Sequence, residues 1–152
     1  MPPPCEHEMS LIVQLSKIQF QLVHQFLASI DMYPGQYQLL NLISKYEKGL
    51  NQKEIGTNLF IKPSSVNQII VKLEQMNYLI RTIDPSDKRV LIVTITEKGK
   101  EILAQGKEKI SLIQNLMKEG IGEEELALFD KVALKMKENL LKERNGECLK
   151  CH

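Results

Sequence analysis

A change of period constrains this chain more than any other feature. From Met9 to Leu73 apolar residues recur at steps of three and four, the spacing of helices that bury one face. From Tyr78 to Ile95 the step is two, and beyond Gly99 it returns to three and four. Only one short stretch can therefore pair as strands. The fold class expected is mainly α with a small β-hairpin.

Along the first helical stretch, Met9, Leu11, Ile12, Leu15, Ile18, Leu22, Val23, Phe26, Leu27 and Ile30 predict one long amphipathic helix, broken at Asp31-Met32-Tyr33-Pro34-Gly35. A second helix, from about Gln36 to Tyr46, places Tyr37, Leu40 and Ile43 on one face. Asn51, three residues before Glu54, is a capping-box pattern that opens a short helix through Leu59. Pro63 suits the first turn of the next helix, which runs to Gln75 with Val66, Ile69, Ile70 and Leu73 inward. Asn77 stands where a left-handed cap is needed. Leu79–Ile83 and Val90–Ile95 then read as a hairpin around the turn Asp84-Pro85-Ser86-Asp87. A long helix follows Thr96, with Leu103, Gly106, Ile110, Ile113 and Met117 on its stripe. Gly120-Ile121-Gly122 interrupts it, and Glu123, Glu124 and Glu125 open a last helix where the dipole favours acids.

Charge enters because it is uneven. The chain has 152 residues and a net charge of +1, but residues 45–100 carry ten Lys/Arg against six Asp/Glu, while both flanks are slightly acidic. A local basic excess, not the total, attracts phosphate. No apolar run approaches the roughly 18 residues of a membrane-spanning helix. The opening residues Met1 to Glu8 lack the pattern of a signal peptide. A cytoplasmic location is expected, where structural disulfides are rare.

Helix, short helix, helix and hairpin, in that order within 65 residues or so, is the order of a helix-turn-helix with a wing. The major groove admits one α-helix, which must offer short polar side chains on its outer face. Lys62, Ser64, Ser65, Asn67, Gln68 and Lys72 do so, and Asn and Gln are suited to bidentate pairing with adenine. A plain solvated helix shows a similar face. The hairpin that follows adds Lys88 and Arg89 at its tip, placed for backbone and minor groove. The terminal helices carry apolar stripes longer than one small module can bury, which implies a homodimer. Five segments result: a disordered tip 1–8, an N-terminal dimerisation helix 9–32, a winged helix-turn-helix 33–98, C-terminal dimerisation helices 99–143, and a flexible Cys-containing tail 144–152.

The stretch from Asp84 through Arg89 to Thr96-Glu97-Lys98-Gly99 resembles the signature of the MarR (multiple antibiotic resistance regulator) family: an Asp, one residue, an Arg, a strand, then Thr-x-x-Gly opening a helix. Leu50 to Gly56 resembles that family's short helix, and Leu73 to Arg81 its recognition-helix exit. The resemblance implies a dimeric transcriptional regulator, a repressor in type, on a pseudo-palindromic operator of double-stranded DNA. It implies that Arg89 enters the minor groove, that Asp87 shapes the wing by pairing with a neighbouring base, and that Ser64, Ser65, Asn67 and Gln68 face the major groove. Lys88 stands where the family commonly has Arg, Asn77 where it has Gly, and Ile95 where it has Leu.

Two features suggest a signal. Regulators of this family often bind small aromatic molecules between the dimerisation helices and the winged module, and His24, Tyr33 and Tyr37 lie at the matching junction. The same residues equally suit core packing. The ends hold Cys5, Cys148, Cys151 and His152. Cys148-Leu149-Lys150-Cys151-His152 has the spelling of a c-type haem attachment, but no export signal accompanies it. The remaining readings are a zinc site, in which Cys148 and Cys151 supply two thiolates and His152, or Cys5 and His7 from the other end, complete it, a reversible disulfide, and an inert tail. No cofactor is required by the fold. A non-DNA-binding module that docks a protein partner is the competing function. No phosphate loop, carboxylate pair or nucleophile arrangement points to an enzyme.

Overall fold

The computed structural model describes residues 4–144. Six helices and three short strands are found among them: α1 (Pro4–Ala28), α2 (Pro34–Ile43), β1 (Leu50–Asn51), α3 (Gln52–Leu59), α4 (Pro63–Gln75), β2 (Leu79–Ile83), β3 (Leu91–Ile95), α5 (Glu97–Lys118) and α6 (Glu123–Arg144). The chain divides into two compact units, 1–113 and 114–152.

The first unit is organised around one apolar core. Leu27 from α1, Leu39, Leu40 and Ile43 from α2, Ile55 from α3, Val66, Ile70 and Leu73 from α4, Leu79 and Val93 from the strands, and Leu103 from α5 are all buried together. These are the inward positions of the three-four and two-step patterns, so hydrophobic burial sets which face of each element turns in. Gln36 is the one buried polar residue among those described, and its Oε1 accepts from the Tyr33 backbone N–H at 2.9 Å. That bond meets one of the orphan donors at the start of α2.

Local chemistry fixes the ends of the elements. Asn51 caps α3: its Oδ1 accepts from Glu54 N–H at 2.9 Å, while Glu54 Oε2 accepts from Asn51 N–H at 2.8 Å. Asn77, at φ 60, ends α4, and the Tyr78 N–H donates to the Leu73 carbonyl at 2.9 Å. The sheet is antiparallel in the order β1-β3-β2, with Arg81 opposite Val93 and Ile83 opposite Leu91.

Three differences from the sequence reading stand out. Helix α1 begins at Pro4, inside the segment 1–8 assigned to a disordered tip. Proline is tolerated at a first turn because its missing N–H would be unpaired there. Strand β1 was not foreseen: Leu50 and Asn51 pair with Val93 and Ile92, and two residues are too few to show a period. The second helix spans Pro34–Ile43 and so stops three residues short of Tyr46. Among the described residues no helix is long and apolar enough to cross a membrane.

The second unit contains the end of α5 and all of α6. Helix α6 opens on Glu123, Glu124 and Glu125, and the Gly122 N–H donates to Glu125 Oε2 at 2.9 Å. Leu128, Phe129, Val132, Leu134, Met136 and Leu140 are exposed along it.

Candidate nucleic-acid interface

The outer face of α4 is the complement of the core. With Val66, Ile70 and Leu73 turned inward, Lys62, Ser64, Ser65, Asn67, Gln68 and Lys72 all stand in solvent. The helix is held at both ends. At its start Gln52 Nε2, on α3, donates to the Pro63 carbonyl at 3.0 Å. At its exit Thr96 Oγ1 donates to the Asn77 carbonyl at 2.7 Å, and Lys98 Nζ donates to the Met76 carbonyl at 3.1 Å. The same ammonium lies 5.3 Å from the centre of the Tyr78 ring. The face is thus presented on a rigid element.

The hairpin tip is closed by polar bonds. The Asp84 N–H donates to the Val90 carbonyl, and the Val90 N–H to the Asp87 carbonyl, both at 2.9 Å. Asp84 Oδ1 accepts from the Ser86 hydroxyl at 2.6 Å and the Ser86 N–H at 2.8 Å. Asp87 Oδ1 accepts from the Arg89 N–H at 3.0 Å and Nε at 3.1 Å, and its Oδ2 accepts from Nη2 at 3.2 Å. Those bonds lower both carboxyl pKa values. For Asp84 the Ser86 hydroxyl is the main cause, and for Asp87 the Arg89 side chain. The Arg89 side chain is 90% exposed. An exposed pair of this kind adds little stability, so its effect is to aim the guanidinium.

Sequence reasoning missed Arg81. From β2 it donates Nε to Glu74 Oε1 at 2.9 Å and Nη2 to Glu74 Oε2 at 2.5 Å, while Nη1 lies 3.5 Å from Asn67 Oδ1. The base of the wing is thereby tied to α4. No spacing rule reveals the pair, because its members lie on different elements either side of the Asn77 turn.

The residues singled out as an effector site lie around the junction of α1 and α2. His24 and Tyr33 contact each other, with ring centres 5.8 Å apart and planes at 59°. Tyr37 packs on Gly106, where an added Cβ would lie 2.8 Å from the ring, and burial raises its hydroxyl pKa. An open concavity of about 520 Å³ lies beside them, lined by Lys17, Phe20, Val23, Pro34 and Gln38 among others. Cys148, Cys151 and His152 lie outside the described residues, and Cys5 falls in a stretch of α1 described by its backbone alone. Among the described residues no group of three or more His, Cys, Asp or Glu is placed to hold a metal ion.

This chain is similar to several known proteins. HTH-type transcriptional regulator SarZ of Staphylococcus epidermidis is 40% identical over 70 residues, which cover 46% of each chain. The match therefore spans about half the length of that relative. The fold is that of MarR-type winged-helix regulators. Staphylococcus aureus MepR, solved in a DNA complex, superposes with a TM-score of 0.79 at 20% identity, covering 86% of this chain and 96% of that one. CouR of Rhodococcus jostii RHA1, solved with p-coumaroyl-CoA, gives a TM-score of 0.71 at 23% identity over 87% of both chains. CouR on a 23-mer DNA duplex gives 0.74 at 26% identity, over 83% of this chain and 89% of that one. The model of the family described as transcriptional regulator SarA/Rot matches residues 21–105, more than half of the chain, and the protein belongs to that family.

Proposed function

We propose that the protein is a dimeric, sequence-specific DNA-binding transcriptional regulator of repressor type that acts in the cytoplasm and is not an enzyme. The observation that carries this reading is the pairing of an exposed polar face on α4 with a cationic wing tip aimed by Asp87, in a fold that CouR uses on a duplex. Ser64, Ser65, Asn67 and Gln68 meet base edges, Lys62 and Lys72 meet phosphates, and Lys88 and Arg89 meet the adjoining backbone and minor groove. The winged module is residues 33–98. The helices of 9–32 and 99–143 form the dimer, which sets two copies of α4 about 34 Å apart on a pseudo-palindromic operator.

Affinity is controlled by a small molecule near His24, Tyr33 and Tyr37. A ligand-bound CouR supports this. Thiol or zinc chemistry at Cys5, Cys148, Cys151 and His152 is the second route of control.

Arg89→Ala tests the main reading. DNA binding should weaken by about 1–3 kcal/mol, and the affinity of the unaltered protein should fall steeply as salt rises. No binding of duplex DNA even at low salt, with nothing for Arg89→Ala to weaken, would refute it and favour a protein-docking module.

A further inference from the structure

We infer that Arg81, at the base of the wing, fixes which end of the Asn67 carboxamide faces the DNA, so that Asn67 reads guanine, and thymine second, in place of adenine. The inference rests on the DNA-binding reading above. Asn67 and Glu74 are two turns apart on α4, so their side chains leave the same side of the helix. Arg81 on β2 meets both. Glu74 takes Nε at 2.9 Å and Nη2 at 2.5 Å, which locks the plane of the guanidinium and leaves Nη1 3.5 Å from Asn67 Oδ1.

A hydrogen bond of that length is weak, and charge decides the orientation. A guanidinium has donors only, so it attracts the oxygen end of an amide and repels the amino end. Arg81 and Glu74 are both about three-quarters buried, which limits screening. The amide therefore turns its oxygen to Arg81 and its NH₂ outward.

A free asparagine offers one donor and one acceptor, which match the amino group and N7 of adenine. With the oxygen turned to Arg81, the NH₂ is the end presented outward. Guanine presents two adjacent acceptors in the major groove, N7 and O6, and thymine presents O4, whereas adenine sets an amino donor beside its N7 and cytosine presents an amino donor, and an outward NH₂ meets either amino group donor to donor. Arg81 is then a positioning residue, setting specificity without touching a base.

Duplexes selected from a random pool by the full chain test this, using the unaltered protein, Asn67→Ala, Arg81→Lys, and the double variant Arg81→Met with Glu74→Gln, which leaves no lone carboxylate. One position per half-site should favour guanine or thymine, and Asn67→Ala should erase that preference. Arg81→Lys, which keeps the cation, should retain it. The double variant should move it toward adenine by roughly fivefold or more, and should add nothing when Asn67 is already Ala. A position that favours adenine until Asn67→Ala removes the preference overturns the inference and leaves the DNA-binding reading standing. Recovery of no sequence-specific duplex at low salt overturns both. If circular dichroism shows the double variant unfolded, the Asn67→Ala comparison alone decides.

Discussion

The winged module and the first half of α1 are written in the same apolar periodicity and meet opposite fates. Leu39, Leu40, Ile43, Ile55, Val66, Ile70 and Leu73 all reach 0% exposure within their own chain. None of residues 10–20 of α1 is buried, and Leu11, Leu15, Ile18 and Phe20 remain between 43% and 60% exposed. A repeat of three and four thus says that a face will be covered, not what will cover it. In the module the cover is another element of the same chain. Along residues 10–20 of α1 the stripe stays exposed, which in a folded protein marks a surface for association. Stability of the first region is therefore a property of one chain, and order in the second should depend on protein concentration.

Core truncation should give the largest effect. Leu73→Ala removes a fully buried core side chain of α4, and should lower unfolding stability by about 2–5 kcal/mol in urea at any protein concentration. Ile18→Ala should change the isolated chain by less than about 0.5 kcal/mol, as expected of a surface site. It should instead shift the monomer–dimer balance seen in sedimentation. A Leu73→Ala loss that vanished at high concentration, or an Ile18→Ala loss that did not depend on it, would erase the distinction between the two regions.

Two glycines with the same φ sharpen the contrast at smaller cost. Gly49 and Gly120 both sit at φ +76, but a Cβ on Gly49 would lie 2.4 Å from the Val93 carbonyl oxygen, whereas one on Gly120 has nothing within 4 Å. Gly120→Ala should cost only the left-handed strain, about 1–2 kcal/mol. Gly49→Ala should cost measurably more in the same urea titration, because β1 must move off β3. Equal costs would mean that the β1–β3 contact does not hold the module closed.

How much of this was readable beforehand follows from what each signal encodes. The limits of α4 were legible because Pro63 and Asn77 act through their own backbone preferences, and the Asn51–Glu54 box because capping is a three-residue contact. The polar face of α4 was legible as the inverse of its core positions. Strand β1 was not, since two residues carry no period, and the helical start at Pro4 was hidden by a Pro-rich composition that also suits a loose tip. The Arg81–Glu74–Asn67 contact was invisible because it depends on how β2 packs on α4, a tertiary fact. For the same reason Asn67 was read as a free amide suited to adenine.

The wing tip gives the smallest effect and asks whether an exposed, polar element can be as self-contained as the core. Asp84 and Asp87 both titrate below their ordinary value of 3.8, held there mainly by the Ser86 hydroxyl and the Arg89 side chain. A carboxyl depressed in the folded state contributes its stabilisation above the unfolded value, and loses it as pH falls through the folded one. The tip should therefore be unchanged from pH 8 down to about 5 and loosen only below about 4. Amide hydrogen exchange at Ser86 and Arg89, whose N–H groups donate to these carboxylates, reads this directly. Loss of protection should begin in that acid window and should not depend on protein concentration, since every bond in the tip lies within one chain. Loosening between pH 5 and 7, or protection that rises with concentration, would place the wing with the terminal helices as a part completed from outside.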